Sequence, residues 1–368
     1  MIGIYIHIPF CKQKCYYCDF VSYANKECFT EKYIESLISE IESFQNDEVV
    51  DTIYIGGGTP SYINEKYIEK IINVIRKKFN VIEDAEITIE INPGTITKEK
   101  LELYKEIGIN RLSIGMQSVN NNLLKKIGRI HTFDEFDESY NLARNIGFKN
   151  INIDLIIGLP KQNMKDIENT IYVIKRLNPE HVSVYSLILE EGTVLEKLVN
   201  EKKEKLPEEE IERKMYWKVK NELEKIGYKH YEISNYAKPG FESKHNLNCW
   251  EQKEYIGFGV AAHSYYKNKR YSNIEDLDKY IENFDSKIIY EIQTKEEKQK
   301  EYMLLGLRKI DGVSMEKFTN IFSKDALDIF KENFEKLQKY GLIDINKDNI
   351  KLSDKGIDLA NIVWEEFI

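Results

Sequence analysis

Strands and helices alternate along the first half of the chain, as judged by the spacing of its apolar residues. Alternation at period two predicts strands near residues 2–8, 51–55, 86–92, 111–116, 150–157 and 181–188. Apolar stripes at helical spacing predict helices near residues 30–45, 64–79, 97–107, 119–128, 132–146 and 163–177, with Thr30 as the cap of the first. Strand–helix units with short joins predict a parallel, right-handed α/β architecture.

Each predicted strand carries one apolar and one polar face, because side chains alternate sides along a strand. The polar positions are Tyr5, His7, Thr52, Tyr54, Gly56, Thr88, Glu90, Asn92, Ser113, Gly115, Gln117, Asn152, Asp154, Ser183 and Tyr185. A closed eight-stranded barrel would fill its lumen with Val, Ile and Leu. The polar faces instead predict a partial, open parallel (β/α)6 barrel whose lumen holds a polar ligand.

The strand pattern weakens after about residue 190. A charged amphipathic helix is predicted over 200–226, and the glycine-rich stretch 257–264 suits close backbone approach. From residue 294 a capping box, helices, a hairpin and a final helix over about 354–367 predict a smaller, winged-helix-like domain. We therefore expect a core over 1–190, a core extension over 191–293 and a C-terminal domain over 294–368.

Composition removes several classes of function. The 368 residues carry a net charge of −9, which argues against nucleic-acid binding. No apolar run approaches the roughly 20 residues of a membrane span, and the first residues do not read as a signal peptide. Five cysteines, an odd number, give no disulfide framework, so we expect a cytoplasmic protein with Cys28 and Cys249 as small buried residues.

Three of the cysteines, Cys11, Cys15 and Cys18, follow the first predicted strand with C-x₃-C-x₂-C spacing. Three thiolates can hold three corners of a four-iron cube and leave the fourth iron open, whereas clusters usually take four. A structural zinc site needs four protein ligands. A zinc knuckle completed by a remote His or Cys, or chance spacing, stays open at this point.

Other chemistry-bearing segments follow the later strands. They are Gly56–Pro60, Asn92–Gly94, Gln117–Ser118 and Gly158–Pro160. Ligand sites of α/β proteins lie at the carboxyl ends of parallel strands, so we expect these segments to meet the cysteines there.

Together, the cysteine spacing and the GGGTP turn (56–60) resemble the radical S-adenosylmethionine (SAM) superfamily. That resemblance implies that SAM chelates the open iron and that one electron splits its sulfonium to give a 5′-deoxyadenosyl radical. The motifs YIHIPFC (5–11), CYYCDF (15–20), GGGTPS (56–61), GMQS (115–118) and DLIIGLP (154–160) resemble the oxygen-independent coproporphyrinogen III oxidase family, above all its haem-chaperone branch.

The resemblance implies a [4Fe–4S] cluster on Cys11, Cys15 and Cys18, and a protein reductant such as flavodoxin or ferredoxin. The implied SAM contacts are Tyr5, Tyr17, Gly57, Gly58, Thr59, Glu90, Gln117, Arg129 and Asp154. The chemistry is coherent, since Arg129 offers a planar fork to a carboxylate and the acidic pair can accept from ribose hydroxyls or the ammonium. The alternatives are a buried structural network for that pair and a surface charge for Arg129.

Two functions fit this scaffold. The first is a chaperone that binds haem and transfers it to an apoprotein, at the membrane or elsewhere. The second is an anaerobic coproporphyrinogen III decarboxylase. The decarboxylases have a longer segment before the cluster and a fourth cysteine where this chain has Phe20, so we expect the chaperone. HNLNCW (245–250) resembles the chaperones' HNxxYW haem motif, with Cys249 in place of Tyr, and makes His245 the candidate axial ligand. Radical modification of another substrate is a third interpretation, and the oligomeric state is not predicted.

Overall fold

The computed structural model describes residues 1–45 and 47–368. The strands are β1 Ile2–Ile8, β2 Phe10–Cys11, β3 Tyr23–Ala24, β4 Val49–Gly57, β5 Asn80–Ile91, β6 Arg111–Gln117, β7 Ile151–Ile157, β8 His181–Ser186, β9 Lys229–Glu232, β10 Asn235–Ala237, β11 Tyr255–Phe258, β12 His263–Tyr266, β13 Lys269–Asn273, β14 Lys287–Ile292, β15 Val313–Ser314, β16 Ile343–Ile345 and β17 Asn349–Leu352.

The helices flank and follow these strands. They are α1 Thr30–Ser43, α2 Glu65–Lys78, α3 Lys98–Glu106, α4 Asn121–Lys126, α5 Phe133–Ile146, α6 Met164–Leu177, α7 Val194–Asn200, α8 Glu209–Lys225, α9 Lys244–Trp250, α10 Leu277–Glu282, α11 Lys295–Gly306, α12 Met315–Phe322, α13 Ala326–Ile329, α14 Lys331–Lys339, α15 Asp354–Asp358 and α16 Ala360–Glu365. Among the helices so described, none combines the length and apolarity needed to cross a bilayer.

Within the described residues, one mixed sheet of twelve strands forms the frame, in the order β14-β13-β12-β11-β1-β4-β5-β6-β7-β8-β10-β9. Its centre is the predicted set of parallel strands, β1, β4, β5, β6, β7 and β8. The barrel stays open because β1 pairs on its outer side with β11, and β8 with β10, instead of with each other. The predicted fold class is confirmed.

The apolar strand faces pack against the outer helices and leave the polar faces to the lumen. Helix α2 shows why: Asn64 caps its first turn through Lys66 N, and its buried stripe is Ile68, Ile71, Ile72 and Ile75. The strand residues Ile4, Ile53 and Ile89 are fully buried in the same core. Burying one such side chain stabilises the fold by about 1.5–3 kcal/mol. The apolar face of each strand therefore turns towards the helices, and the polar face turns towards the lumen.

Four local predictions were wrong. The helix predicted over 200–226 begins only at Glu209, as α8, because Pro207 disfavours helical backbone at the residue before it. Thr30 is the first residue of α1 and does not cap it. The final predicted helix is divided into α15 and α16. Cys28 is exposed, since it lies in a single 3₁₀ turn before α1.

Strands β9–β14 widen the sheet on both sides, and the C-terminal segment closes its β9 edge. Ile233 N donates to Arg308 O at 3.0 Å, and Ile310 N donates to Tyr231 O at 3.1 Å. The predicted capping box of α11 is present, and β15–β17 form a small sheet among the surrounding helices. The C-terminal part is therefore helical with a β hairpin, as predicted.

Helix α9 packs against β4 and is fixed at its N-terminus by a buried carboxylate. Glu86 of β5 accepts from Lys244 N at 3.0 Å and from His245 N at 3.1 Å. Ser243 caps the helix by accepting from Asn246 N. A carboxylate at a helix N-terminus satisfies amides that have no partner within the helix and favours the helix dipole. The strands of the core thereby orient α9.

We expect Glu86→Ala to lower the free energy of unfolding by about 1.5–3 kcal/mol, because two amides at the start of α9 lose a charged acceptor. Thermal or denaturant unfolding measures the change. Glu83→Ala, an exposed glutamate on the same strand, is the matched control and should change stability little. Equal stability of the two variants would contradict the role given to Glu86.

Candidate cofactor site

The carboxyl ends of the parallel strands enclose a cavity of about 400 Å³. Its lining includes these predicted residues: Cys11, Cys15, Tyr17, Cys18, Gly57, Gly58, Thr59, Glu90, Gln117, Arg129 and Asp154. Two predicted residues, Tyr5 and His245, line a second cavity of about 300 Å³. The two cavities share Phe20, Tyr54, Gly57, Glu90 and Tyr185 in their walls, so all the predicted positions come together in one region.

The cysteine loop is held to the barrel by backbone hydrogen bonds at both ends. At its start, Gly58 N donates to Ile8 O at 2.8 Å and Thr59 N to Phe10 O at 2.9 Å. These bonds join the loop to the GGGTP turn after β4. A Cβ atom at Gly58 would lie 3.0 Å from Cys11 Sγ, so glycine here is what lets the turn approach the thiol.

Farther along, Tyr16 is bound from two sides. Tyr16 N donates to Ile127 O at 3.0 Å, and Tyr16 O accepts from Leu195 N at 2.8 Å. The Tyr16 ring covers Gly128, where a Cβ atom would lie 2.6 Å from the ring. The middle of the cysteine loop is therefore positioned by α4 and α7, which lie far from it in the sequence.

The three thiols themselves differ in exposure. Cys11 is buried, whereas Cys15 and Cys18 are half-buried and face the cavity. Burial raises the pKa of the Cys11 thiol, and it raises that of Cys18 to about 11. Such thiols bind metal only after losing a proton, so metal binding releases protons here. Three soft sulfur donors on one cavity wall fit an iron–sulfur cluster with an open corner.

Two side chains hydrogen-bond the sulfur atoms. Thr59 Oγ1 donates to Cys11 Sγ at 3.5 Å, and the Arg129 guanidinium donates to Cys15 Sγ at 3.5 Å. Hydrogen bonds to cluster sulfurs are among the features that set a cluster's reduction potential. Besides the predicted contact with SAM, Thr59 and Arg129 are therefore placed to influence the reduction potential of a cluster on these thiols.

Arg129 is anchored within the site and is not a surface charge. Its guanidinium donates to Asn92 Oδ1 at 2.6 Å and to Gly115 O at 2.9 Å. Its Nε donates to His131 Nδ1 at 3.2 Å, and burial, helped by this cation, lowers the pKa of His131 to about 3. A neutral His131 can accept that bond. A Cβ atom at Gly115 would lie 2.8 Å from the Gln117 side chain and 2.9 Å from Arg129, so glycine makes room for both.

Glu90 lies deep in the lumen and is hydrogen-bonded by protein donors. Tyr54 OH donates to Glu90 Oε1 at 2.9 Å, and Gly57 N donates to Oε2 at 3.2 Å. Burial, with a smaller contribution from the negative charge of Asp154, raises the pKa of Glu90 to about 7. Glu90 therefore titrates near neutral pH.

Asp154 belongs to a longer buried network. It accepts from Asn152 Nδ2 at 2.7 Å and from Ser113 Oγ at 3.0 Å, while burial raises its pKa. Asn152 Oδ1 accepts from His181 Nδ1 at 2.6 Å, and His181 Nε2 accepts from Tyr231 OH at 2.7 Å. The Tyr231 hydroxyl also accepts from Ser243 N at 3.2 Å, so Asp154 is linked by hydrogen bonds to the N-cap of α9.

Tyr5 and Tyr17 occupy opposite parts of the site. Tyr5 OH donates to His7 Nδ1 at 3.1 Å, because His7 Nε2 donates to Val21 O at 2.8 Å and leaves Nδ1 as the acceptor. Burial lowers the pKa of His7 to about 4. The geometry of His7 is that of a satisfied core histidine behind the cysteine loop. Tyr17 packs on the small apolar cluster around Ile156 and Leu159.

His245 is buried against the lumen face of β1 and β4. Its Nδ1 lies 2.9 Å from Thr52 Oγ1, and its ring stacks on Tyr54 with centroids 5.2 Å apart. Burial lowers the pKa of His245 to about 4, so the imidazole is neutral. Cys249 of the same helix is absent from the described lining of both cavities, and burial raises its thiol pKa to about 11.

The sequence patterns missed the roles of Tyr54, Asn152 and His181. Tyr54 and Asn152 stand among the polar lumen positions, which was the available signal, and His181 begins β8 with the same polarity. No motif distinguishes them, because their partners come from other strands.

An open parallel barrel with three cysteines at its mouth defines a radical SAM protein. Residues 5–172 match the Radical SAM superfamily, and residues 293–359 match the HemN C-terminal domain. The structure is similar to coproporphyrinogen III oxidase (HemN) from Escherichia coli, with a TM-score of 0.87 and 25% identity, over 100% of this chain and 89% of that one.

Among curated proteins, the heme chaperone HemW of Lactococcus lactis is 39% identical over 99% of this chain and 96% of its own length. The heme chaperone HemW of Bacillus subtilis is 38% identical over 100% of this chain and 99% of its own. The chain belongs to the HemW family.

Anaerobic reconstitution should give about four irons and four sulfides per chain, and Cys11→Ser, Cys15→Ser or Cys18→Ser should each lose the cluster. Iron and sulfide analysis with EPR measures this. Cys28→Ser, an exposed cysteine outside the loop, is the matched control and should keep full iron content. Stoichiometric zinc without inorganic sulfide would refute the cluster.

SAM affinity should rise with pH around 7. A cationic ligand favours the ionised form of Glu90, whose pKa is about 7, so binding weakens as Glu90 is protonated. Between pH 8 and pH 6 the ionised fraction falls roughly tenfold, and affinity should fall by about that factor. Titration of the reconstituted protein with SAM measures it. Glu90→Gln should remove this part of the pH dependence, and an unchanged profile in that variant would contradict the assignment.

Proposed function

We propose that this protein is a haem chaperone that binds haem and transfers it to an apoprotein, with a [4Fe–4S] cluster and SAM as resident cofactors. The observation that carries the proposal is the end-to-end likeness to relatives named heme chaperones. Two features of the site support it. Three cysteine sulfur atoms could hold a cluster, and the neutral His245 lines the adjoining cavity.

Cys11, Cys15 and Cys18 would hold the cluster, which supplies a low-potential electron to the sulfonium of SAM. At Gly57 and Gly58 the backbone would approach the methionine end of SAM closely. A Cβ atom at Gly57 would meet the His7 ring, and one at Gly58 would meet Cys11 Sγ. Arg129 would pair with its carboxylate. Glu90 and Asp154 would accept from its ribose hydroxyls or its ammonium, and Tyr5, Tyr17, Thr59 and Gln117 complete the proposed contacts.

His245 would bind the haem iron through Nε2. Neutral imidazole is the form that binds metals, and the other ring nitrogen then needs a hydrogen-bond partner. Thr52 Oγ1 is that partner, placed to accept from Nδ1–H. The second cavity is walled by the rings of Tyr5, Tyr54, Tyr185 and Phe20, which suits a flat aromatic ligand.

Phe20 favours the chaperone over the decarboxylase. It stands two residues after Cys18, where the similar decarboxylases carry a fourth cysteine, and its side chain is 61% exposed at the shared mouth of both cavities. A thiol is therefore missing where the decarboxylases have one, and an apolar ring borders the opening instead. Decarboxylation of coproporphyrinogen III is the second candidate, favoured by the likeness in fold.

A one-electron donor protein such as flavodoxin or ferredoxin would reduce the cluster, and an apoprotein would accept the haem. Both partners follow from the proposed chemistry. Cys15 and Cys18 are half-buried and lie nearer the protein surface than Cys11, which gives a reductant its shortest approach to the cluster.

His245→Ala should shift or weaken the Soret band of the haem-loaded protein while leaving its iron–sulfur content intact. The reason is that His245 would bind the haem iron, whereas its described side-chain partners, Thr52 and Tyr54, lie on β4 and not in the cysteine loop. His263→Ala is the matched control, since His263 is exposed and packs on Tyr290. Absorption spectra and iron analysis of the two variants measure the difference.

With SAM and a reductant, coproporphyrinogen III should remain unconverted. Formation of protoporphyrinogen would overturn the chaperone and support the second candidate. Loss of the haem band in Cys249→Ser but not in His245→Ala would move the ligand to Cys249.

A further inference from the structure

The proposed SAM site and the His245 cavity adjoin, and Tyr54 is one of the residues in the wall of both. Tyr54 lies on β4, between β1 and β5, on the lumen side. The three cysteines line the first cavity, His245 and Asn246 line the second, and Glu90 lines both. A side chain in this place contacts whatever occupies either side.

Tyr54 makes one specific contact in each direction. Its hydroxyl donates to Glu90 Oε1 at 2.9 Å. Its ring stacks on the His245 imidazole at 5.2 Å and 30°, and on Tyr5 at 6.3 Å and 26°. Two aromatic neighbours thus hold the ring, while the strength of the hydroxyl's hydrogen bond depends on whether Glu90 is ionised.

We propose that Tyr54 is a positioning residue that couples the occupancy of the SAM site to that of the His245 cavity. This inference rests on the proposed function, in which Glu90 contacts SAM and His245 binds haem. SAM tightens haem binding, and haem tightens SAM binding by the same factor, because coupling between two binding sites is reciprocal.

The sign follows from charge. Glu90 has a cationic ligand beside it only when SAM is bound, and a cation favours the ionised carboxylate. An ionised carboxylate is the stronger acceptor, so the Tyr54 hydroxyl is held more firmly. That bond fixes the ring against His245 and limits the orientations of the imidazole. A ligand group that is already oriented loses less freedom when the iron binds, which raises affinity.

Other contacts of His245 do not transmit the state of Glu90. Thr52 binds the far side of its ring at Nδ1, and Glu86 binds its backbone amide. The described hydrogen bonds to Glu90 come from Tyr54 and Gly57, so neither Thr52 nor Glu86 is among its described partners. Removing the Tyr54 hydroxyl alone is therefore the specific perturbation.

The test is a binding cycle on the reconstituted protein. Haem affinity is measured by absorption titration with and without saturating SAM, and SAM affinity with and without haem. In the unaltered protein we expect SAM to tighten haem binding roughly fivefold or more, with an equal factor in the reverse order. In Tyr54→Phe the ring is kept and the hydroxyl lost, so this coupling factor should fall to about one, whatever the separate affinities become.

Tyr172→Phe, which removes an exposed hydroxyl on α6, is the matched control and should keep the full factor. A factor of one in the unaltered protein, or an undiminished factor in Tyr54→Phe, would overturn the proposal. Failure of the proposed function gives a different result, because then haem or SAM does not bind at all, or haem binds with the same spectrum in His245→Ala.

Discussion

The structure depends on one constraint, which is that an open parallel barrel with a polar lumen must provide hydrogen-bond donors for its carboxylates. A buried carboxylate without partners costs far more than a buried hydrogen bond returns. Glu90, Asp154 and Glu86 meet this constraint in the same way, each accepting from two protein donors. The lumen is therefore an ordered hydrogen-bonded lattice, and the site inherits its geometry from it.

The cysteine loop extends that lattice to the barrel mouth. Its backbone is bonded to the ends of β1 and β4, to α4 and to α7, and Thr59 and Arg129 reach its sulfur atoms. Arg129 is itself fixed by Asn92, which follows β5, and by Gly115 of β6. The loop and the carboxyl ends of β1, β4, β5 and β6 are therefore joined by hydrogen bonds. A change in the strand register would move the thiols as well as the lumen.

The sequence could predict the period of the strands, and with it the lumen. Alternation assigned Glu90 and Asp154 to one face, and glycines and cysteines to the strand ends, because these are local properties of the chain. It could not predict that Tyr54 touches both Glu90 and His245, since these partners lie 36 and 191 residues away along the chain. The start of α8 after Pro207 could have been predicted, because proline disfavours helical backbone at the residue before it. The exposure of Cys28 was not, because it follows from how a 3₁₀ turn packs before α1.

The two lumen carboxylates differ in a way that assigns them different roles. Asp154 accepts from Asn152 and Ser113, and Asn152 is held in turn by His181, so its protein partners belong to a network that extends to β8. Glu90 accepts from one hydroxyl and one backbone amide of β4, and burial raises its pKa to about 7. A carboxyl group with a pKa near 7 gains negative charge at neutral pH when a cation binds beside it. Any response of this lumen to SAM is therefore expected at Glu90, and the side chain placed to receive it is Tyr54.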